Sequence, residues 1–386
     1  MTRLAILASH PVQYYGPLYR ELAGRIDLEV LFAHRATPAE QAKAGFGVAF
    51  DWDLDITAGY PHRFLTNVSK TPGVDRFSGC DTPEIGARLE QGGFSALLVH
   101  GWHLKSSLQG IWAAKRRGLP VLVRGDSHLA TPRSLLKRAV KAATFPALLR
   151  VFDAALHVGQ RSRAYYEHYH FPPHRLFFSP HCVDTVWFKE RATDWERLRL
   201  RAQLGVGEST KLVLFAGKFV EGKRPHDLIM AVASCRSEGL NVEVLMAGDG
   251  VLRASLGAAA KAADVPLHLL GFCNQTDMPA AYAAADCIIL PSAHETWGLV
   301  VNEAIACGRP AIISDACGCA DDLVGNGAAV RSFPVGDVPR LAAAIMSLFS
   351  NPPRSEAIAA LSDAYSLAAA AKGIITALDE CGWRSP

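Results

Sequence analysis

Residues 285–308, ADCIILPSAHETWGLVVNEAIACG, decide the fold of this chain. They predict a buried strand over residues 287–290, a short loop, and a helix that begins near Gly298. Glu295 stands in the loop and Glu303 inside the helix, so two carboxylates eight residues apart flank a helix N-terminus. The dipole and free N–H groups of such an N-terminus attract anions. Since charged side chains are seldom buried unpaired, we favour a functional pair over two solvated acids.

The composition is typical of an α/β protein. The 386 residues are 49% hydrophobic and 20% charged, and this length predicts two domains rather than one. A net charge of +3 does not indicate a nucleic-acid partner. The nine cysteines lack paired spacing, and no second Cys/His pair follows Cys317 and Cys319, so we expect no metal site. With no signal peptide or membrane span indicated, we expect a reducing, cytoplasmic location.

Short apolar runs alternate with helical patterns along the chain, as in a parallel sheet covered on both faces. The first half has runs at 4–8, 28–33, 96–100, 120–123, 154–158 and 176–178. After a break at 180–184 and a predicted helix over 189–204, runs follow at 211–216, 242–247, 267–270, 287–290, 311–314 and 328–331. Helices are predicted over 341–349 and 355–378. The rhythm predicts an α/β fold of two doubly wound, Rossmann-like domains facing across a cleft.

The region over residues 45–83 is less regular and indicates an insertion or a lid. Asp51, Asp53 and Asp55 alternate there as on a strand edge. We favour solvated acids over a metal site for these three residues.

A second group of charged residues follows the first strand of the second half. Gly217 allows a tight turn, and Lys218 and Lys223 emerge at the same edge. Two cations facing a helix N-terminus would clamp a diphosphate. Solvated loop lysines are the better interpretation of this loop alone, but not beside Glu295 and Glu303.

Together these residues resemble the retaining glycosyltransferases of family 4, which have the GT-B fold of two Rossmann-like domains. Glu295 and Glu303 match the E-x7-E motif of that family, and residues 217–223 resemble its G-[RK]-x4-K loop, with Lys where Arg is common. Residues 179–184 resemble its P-N-G-V-D segment, with His181 and Cys182 replacing Asn and Gly. Residues 247–250 and 270–272 match two further signatures of its donor domain.

The resemblance implies a metal-independent, retaining transfer of a sugar from a nucleotide-diphosphate sugar, with no cofactor. A UDP-sugar is the favoured donor and a GDP-sugar the alternative. Lys218 and Lys223 would neutralise the diphosphate, Glu295 would orient the sugar, and Glu303 would bind the ribose. The remaining donor-site residues implied are those of the phosphate-binding helix start, the loop turn and the nucleobase contact: Gly298, Leu299 and Val300, Gly217, and Gly271 and Phe272.

The first half would then bind the acceptor and part of the donor. Many relatives carry a glycine pair after the first strand, of which Gly16 remains as a candidate donor contact. Many also carry a histidine where this chain has Arg124, a position that His128 or Asp126 could fill instead. His100, which ends the preceding strand, is a further catalytic candidate. For each histidine, a core or capping role is the alternative interpretation.

We place the acceptor domain over residues 1–185 and the donor domain over 186–365, with a helix at 366–386 packing back toward the first domain. The acceptor would be a glycan, a lipid-linked or a small-molecule hydroxyl compound, in the synthesis of cell-surface polysaccharide, glycolipid or another glycoconjugate. A basic amphipathic segment over 131–152 fits peripheral contact with the inner membrane face, and a solvated helix fits equally well. Two alternatives remain: a nucleotide-sugar-binding protein without transfer activity, and a sugar-nucleotide epimerase.

Overall fold

The computed structural model describes residues 2–37, 51–130, 134–325 and 329–383, and the chain divides into two compact units. The described residues of 2–36, 55–181 and 367–383 form the first unit. The second unit consists of residue 37 and the described residues of 51–54 and 182–366. The chain therefore passes to the second unit after Ala36 and after His181, and returns to the first after Leu54 and after Ser366.

The first unit is built on a parallel sheet of seven strands in the order β3-β2-β1-β4-β5-β6-β7. Its strands are β1 Leu4–Ala8, β2 Leu28–Phe32, β3 His62–Phe64, β4 Ala96–His100, β5 Val121–Gly125, β6 Ala154–His157 and β7 Leu176–Phe178. Its helices are α1 Tyr15–Ala23, α2 Ile85–Gln91, α3 Lys105–Arg116, α4 Leu135–Leu148 and α5 Gln160–His168, with α15 Leu367–Glu380 at the end of the chain. The order changes direction at β1 and β4, the type of position at which doubly wound sheets bind ligands.

The second unit has a parallel sheet of six strands in the order β10-β9-β8-β11-β12-β13. Its strands are β8 Lys211–Ala216, β9 Val242–Ala247, β10 Leu267–Gly271, β11 Cys287–Leu290, β12 Ala311–Ser314 and β13 Val330–Phe333. Its helices are α6 Thr185–Arg191, α7 Asp194–Leu204, α8 Pro225–Ser237, α9 Arg253–Ala262, α10 Met278–Ala284, α11 Leu299–Ala306, α12 Ala320–Leu323, α13 Val338–Ser350 and α14 Ser355–Ala364. Here the order changes direction between β8 and β11.

The central strands are apolar on both faces because helices cover both sides of each sheet. All five residues of β1 and all four of β11 and β12 are buried. The predicted fold of two Rossmann-like parallel-sheet domains is confirmed. Among the described residues, no helix has the length and apolar character needed to cross a membrane.

Two helix predictions were wrong. The charged segment at 189–204 is not one helix, because Thr193 caps a new one: its hydroxyl accepts a hydrogen bond from Glu196 N at 3.2 Å. The segment at 355–378 is likewise divided into α14 and α15. The last apolar run is observed as Val330–Phe333, and residue 328 of the predicted strand lies outside the described residues.

Helix α15 completes the first unit although it follows the second unit in sequence. Ser179 donates its hydroxyl proton to the carbonyl oxygen of Ala370 at 3.0 Å. At Gly373, a Cβ atom would lie only 1.9 Å from the carbonyl oxygen of Phe178, so only glycine permits this approach. The helix is thus packed against the residues that leave β7.

The irregular region contains β3 and a segment that joins the second unit; residues 45–50 lie outside the described residues. The carboxylate of Asp53 accepts a hydrogen bond from Thr276 N at 3.0 Å, and Asn274 donates to the carbonyl oxygen of Asp51 at 2.9 Å. Asp55 instead accepts from its own loop, from Thr57. The carboxylates of Asp53 and Asp55 therefore accept hydrogen bonds that hold loop structure, whereas Asp51 contributes its carbonyl oxygen.

Candidate active site

Three loops at the carboxyl ends of β8, β9 and β10 are joined by their backbones. Gly217 N donates to Ala247 O at 2.9 Å, and Gly248 N donates to Gly271 O at 2.7 Å. Gly248 has φ +147°, and a Cβ atom there would lie 1.9 Å from the carbonyl oxygen of Gly217. Only glycine fits such a position, so the loops that carry Gly217 and Gly271 hold each other in place.

The loop after β11 places Glu295 beside the loop after β8. The latter carries Lys218 and Lys223 and is called the lysine loop. Ala293 N donates to Gly222 O, and Gly318 N donates to Glu295 O, both at 2.9 Å. These bonds fix the backbone on both sides of the carboxylate, which forms an ion pair with Lys223 Nζ. The structure thus brings together Glu295 and Lys223, two residues that are 72 positions apart in sequence.

The carboxylate of Glu295 also lies next to the start of α11. Gly298 has φ +104°, and Glu295 Cγ lies 3.4 Å from the position of a Cβ atom at Gly298. Because Gly298 has no side chain, it cannot cap the helix. In the described parts of the chain, the N–H groups of Leu299 and Val300 have no hydrogen-bond partner. Unsatisfied N–H groups at a helix start are suited to an anion.

Lys218 belongs electrostatically to the same group. Burial lowers the pKa of Lys218, the positive charge of Lys223 lowers it further, and Glu295 opposes both effects. Two ammonium groups therefore share one carboxylate in a partly buried place. An added dianion would relieve their mutual repulsion.

Glu303 lies on the inner side of α11 and is 3% exposed. Tyr282, on α10, donates its phenolic proton to Glu303 Oε2. Next to it on α11, Asn302 accepts a hydrogen bond from Trp297 Nε1 at 2.9 Å. A buried hydroxyl thus holds this carboxylate, and the sequence did not indicate this partner.

In the first unit, His100 is the last residue of β4, and its register partner Arg124 is the last but one of β5. Arg124 is buried and donates to Ser179 Oγ at 3.1 Å and to Pro180 O at 2.7 Å. Burial, followed by the positive charge of Arg124, lowers the pKa of His100 to about 3. His100 is therefore neutral at physiological pH.

Two other candidates of this unit have different surroundings. A Cβ atom at Gly16 would lie 2.4 Å from the carbonyl oxygen of Ile56, so packing within the unit already requires glycine there. His128 is half-buried in the loop after β5. Sequence reasoning missed the aromatic residues around His100, because Tyr15 and Tyr19 come from α1. Their spacing is the ordinary i, i+4 of a helix face, which does not by itself indicate a site.

Metal-binding side chains do not cluster in the part of the chain that is described: no three His, Cys, Asp or Glu residues there could hold one ion. In the second unit, the ammonium groups of Lys218 and Lys223 are suited to a phosphate.

The sequence match to a known family lies within the second unit. Residues 196–362 match the family described as glycosyl transferases group 1. The GDP-mannose-dependent alpha-(1-6)-phosphatidylinositol dimannoside mannosyltransferase of Mycobacterium tuberculosis is 30% identical over 145 residues, 37% of this chain and 36% of that protein. The D-inositol 3-phosphate glycosyltransferase of Rhodococcus opacus is 28% identical over 71% of this chain and 64% of that protein. The chain spans about a third of the length of the first curated relatives that it matches.

Solved structures extend the likeness of fold to the whole chain. The crystal structure of Anabaena Alr3699/HepE in complex with UDP and glucose has a TM-score of 0.71 at 18% identity, and the match covers 98% of this chain and 100% of that one. The crystal structure of WaaG, a glycosyltransferase involved in lipopolysaccharide biosynthesis, has a TM-score of 0.62 at 16% identity, covering 94% and 95% of the two chains.

Proposed function

We propose that this chain is a glycosyltransferase of family 4 with the GT-B fold, and that it transfers a sugar from a nucleotide-diphosphate sugar to a hydroxyl acceptor. Residues 196–362 match the group 1 glycosyl transferases, and the whole chain is similar in fold to WaaG. The transfer retains the anomeric configuration, and the protein's own cations take the place of a metal ion. The product belongs to a polysaccharide, a glycolipid or another glycoconjugate. No observation favours the sugar-nucleotide epimerase or the binding protein without turnover.

One observation carries this proposal: Lys223 is paired with Glu295 beside a helix start. The first N–H groups of that helix have no hydrogen-bond partner within the described ranges. The diphosphate accepts hydrogen bonds from the N–H groups of Gly298, Leu299 and Val300, and Lys218 and Lys223 neutralise its charge. Negative charge grows on the leaving diphosphate as the sugar departs. Cations fixed in advance therefore stabilise the transition state more than the bound substrate.

Glu295 and Glu303 have separate tasks in this proposal. Once the diphosphate binds Lys223, the carboxylate of Glu295 is released to accept hydrogen bonds from the sugar hydroxyls and to orient the anomeric carbon. Glu303, held by Tyr282, accepts from the ribose. The loop of Gly271 and Phe272 lies near the nucleobase. In front-face displacement, the leaving phosphate itself takes the proton of the acceptor hydroxyl.

The similar proteins differ in their nucleotide. One relative is GDP-mannose-dependent, whereas the Anabaena structure contains UDP. We favour a UDP-sugar and take a GDP-sugar as the alternative. In the first unit, Arg124, His100 and His128 are the groups proposed to act near the acceptor hydroxyl, and Gly16 shapes the loop before α1.

The proposal is tested by incubating the protein with UDP-, GDP- and ADP-sugars and measuring nucleotide release. We expect slow release from one class by the wild type, and loss of at least about 90% of it in Glu295→Ala, because the sugar is no longer oriented. Glu221→Ala, which removes an exposed acid of the loop after β8, serves as the control. Tight nucleotide binding without release or transfer would favour the binding protein.

Helix α4 gives the proposed enzyme a surface for peripheral contact with a membrane; residues 131–133 of the predicted segment lie outside the described residues. None of its side chains is fully buried, and Leu135 and Leu136 are 80% and 75% exposed. The helix also carries Lys137, Arg138 and Lys141 and no acidic residue. Exposed leucines among cations suit the interface of an anionic bilayer, so we propose peripheral binding at the cytoplasmic face of the inner membrane.

Replacing both leucines, Leu135→Ser with Leu136→Ser, is expected to weaken binding to phosphatidylglycerol vesicles by roughly tenfold or more, because their apolar area no longer enters the interface. Cosedimentation with vesicles measures the change. Leu198→Ser is the matched control, since Leu198 is an exposed leucine on α7. Equal binding by both variants, or none by the wild type, would refute this surface.

A further inference from the structure

A buried arginine at the carboxyl end of β5 has no acidic partner among the described residues. Arg124 is 1% exposed, and its Nη2 donates to the carbonyl oxygens of Ser179 and Pro180 at 3.2 and 2.7 Å. Its Nε donates to Ser179 Oγ at 3.1 Å. The remaining nitrogen, Nη1, is buried and has no hydrogen-bond partner among the described residues. Carbonyl groups satisfy donors but leave the positive charge uncompensated, and such a buried charge is costly.

Two further residues of the first unit, His100 and Tyr19, also have buried polar atoms without a hydrogen-bond partner among the described residues. Both ring nitrogens of His100 and the hydroxyl of Tyr19 are buried and lack a hydrogen-bond partner in the described part of the chain. The ring centroids of Tyr19 and His100 are 5.6 Å apart. The ring of Tyr15 lies 4.5 Å from that of His100 and 5.6 Å from the central carbon of the Arg124 guanidinium. Buried polar groups are ordinarily satisfied, so three together indicate a missing partner.

The charge of this cluster is one positive unit. The pKa of His100 is lowered by burial and then by Arg124, so its ring is neutral with one N–H to donate. Burial raises the pKa of Tyr19 well above its ordinary value, so its hydroxyl keeps its proton. Burial, Arg124 and His100 lower the pKa of His181, which is also neutral. The carboxylate of Asp126 lies 4.0 Å from His181 Nε2, and no ion pair between it and Arg124 is found in the described ranges.

We propose that Arg124, His100 and Tyr19 bind the carboxylate of an acidic sugar of the uronic acid class, carried by the donor or by the acceptor. This inference rests on the proposed transfer and names the class of sugar that the first unit selects. One positive charge matches a monoanion. The Nη1 group, the imidazole N–H and the phenolic O–H are three donors for its two oxygens. A phosphate monoester carries nearly two negative charges and would leave one of them uncompensated.

The position of the cluster agrees with this assignment. His100 and Arg124 lie at the carboxyl ends of β4 and β5, and β4 neighbours β1 where the strand order changes direction. Parallel sheets bind ligands beyond the carboxyl ends of their strands at such a point. A neutral sugar would supply hydroxyl groups to the same donors but no charge to Arg124. The cluster therefore discriminates by charge, and a neutral analogue leaves the arginine unpaired.

Two kinetic arms separate the sources of the carboxylate. UDP-glucuronic acid is compared with UDP-glucose as donor, and p-nitrophenyl glucuronide with p-nitrophenyl glucoside as acceptor. In the arm that holds the carboxylate, we expect kcat/KM to favour the acidic compound by about tenfold or more, because a charge-assisted hydrogen bond is lost with the neutral one. Tyr19→Phe keeps the ring and should reduce that preference by about threefold or more, because one donor to the carboxylate is lost. Arg163→Gln, an exposed arginine of the same unit, is the control.

A binding arm needs no turnover. Sodium glucuronate and glucose are titrated against the full chain by calorimetry, with wild type, Tyr19→Phe and Arg124→Lys. We expect glucuronate to bind at least about tenfold more tightly than glucose in the wild type and to lose that advantage in both variants. Selective glucuronate binding without transfer in any arm would refute the proposed function but support this site. Equal affinities, or a crystal soaked in glucuronate with only water at Nη1, would overturn the inference.

Discussion

The double variant Lys218→Ala with Lys223→Ala is expected to lose at least about 100-fold in the rate of sugar transfer, since two contacts to the leaving diphosphate disappear. Lys223 forms an ion pair with Glu295, and Lys218 interacts electrostatically with both of these groups; the burial of Lys218 lowers its pKa. In this partly buried place, a charge counts for more than it would in water. The loss should appear mainly in kcat, because the charge on the diphosphate grows in the transition state.

Three controls make this result specific. Lys261→Ala removes an exposed lysine from α9 and should leave the rate unchanged. Lys218→Arg keeps the positive charge at this position and should retain most of the activity. The midpoint of thermal unfolding shows whether the double variant remains folded. A folded double variant whose rate stays within about twofold of the wild type would refute the diphosphate clamp.

The variant Asp286→Ala is expected to destabilise the second unit by about 3–5 kcal/mol, the usual result of removing one partner from a buried ion pair. Asp286 accepts from Arg197 Nη2 and from Leu212 N, both at 2.8 Å, and lies 3.5 Å from Arg201 Nη1. Arg201 is 2% exposed, and burial lowers its pKa. Without Asp286, the hydrogen-bond partners of Arg201 in the described part of the chain would be carbonyl groups, namely those of residues 207, 210 and 284.

Urea unfolding monitored by tryptophan fluorescence measures this loss. Asp286→Asn keeps an acceptor for Leu212 N and should fall between wild type and Asp286→Ala. Glu167→Ala breaks an exposed pair with Arg163 and should cost no more than about 0.5 kcal/mol. An Asp286→Ala midpoint equal to that of Glu167→Ala would show that the arginines find other compensation.

The strands were predictable because each is a short apolar run bounded by loop residues. The runs at 4–8, 211–216 and 287–290 coincide with β1, β8 and β11. Helix ends were less predictable. A single hydroxyl at Thr193 divides a segment whose charge pattern is continuous, and local pattern does not record such a cap.

The candidate site was predictable where its residues belong to a short motif. The lysine loop and Glu295 were singled out separately, and their ion pair shows that the fold brings them together. Partners that are distant in sequence were not readable. Arg124 meets Ser179 across 55 positions, and Glu303 meets Tyr282 across 21. A motif specifies what a residue type can do, whereas its partners depend on sheet order and helix packing.

The return of α15 to the first unit constrains how the chain can fold during synthesis. A ribosome releases residues 1–181 long before Ser179 can meet Ala370, because the second unit is made in between. The surface around β7 therefore stays uncovered until α15 has been synthesised. The second unit can complete its own fold as soon as it emerges. In this respect the second unit is an insertion within the first. The nascent protein thus finishes its later-made unit before its earlier one.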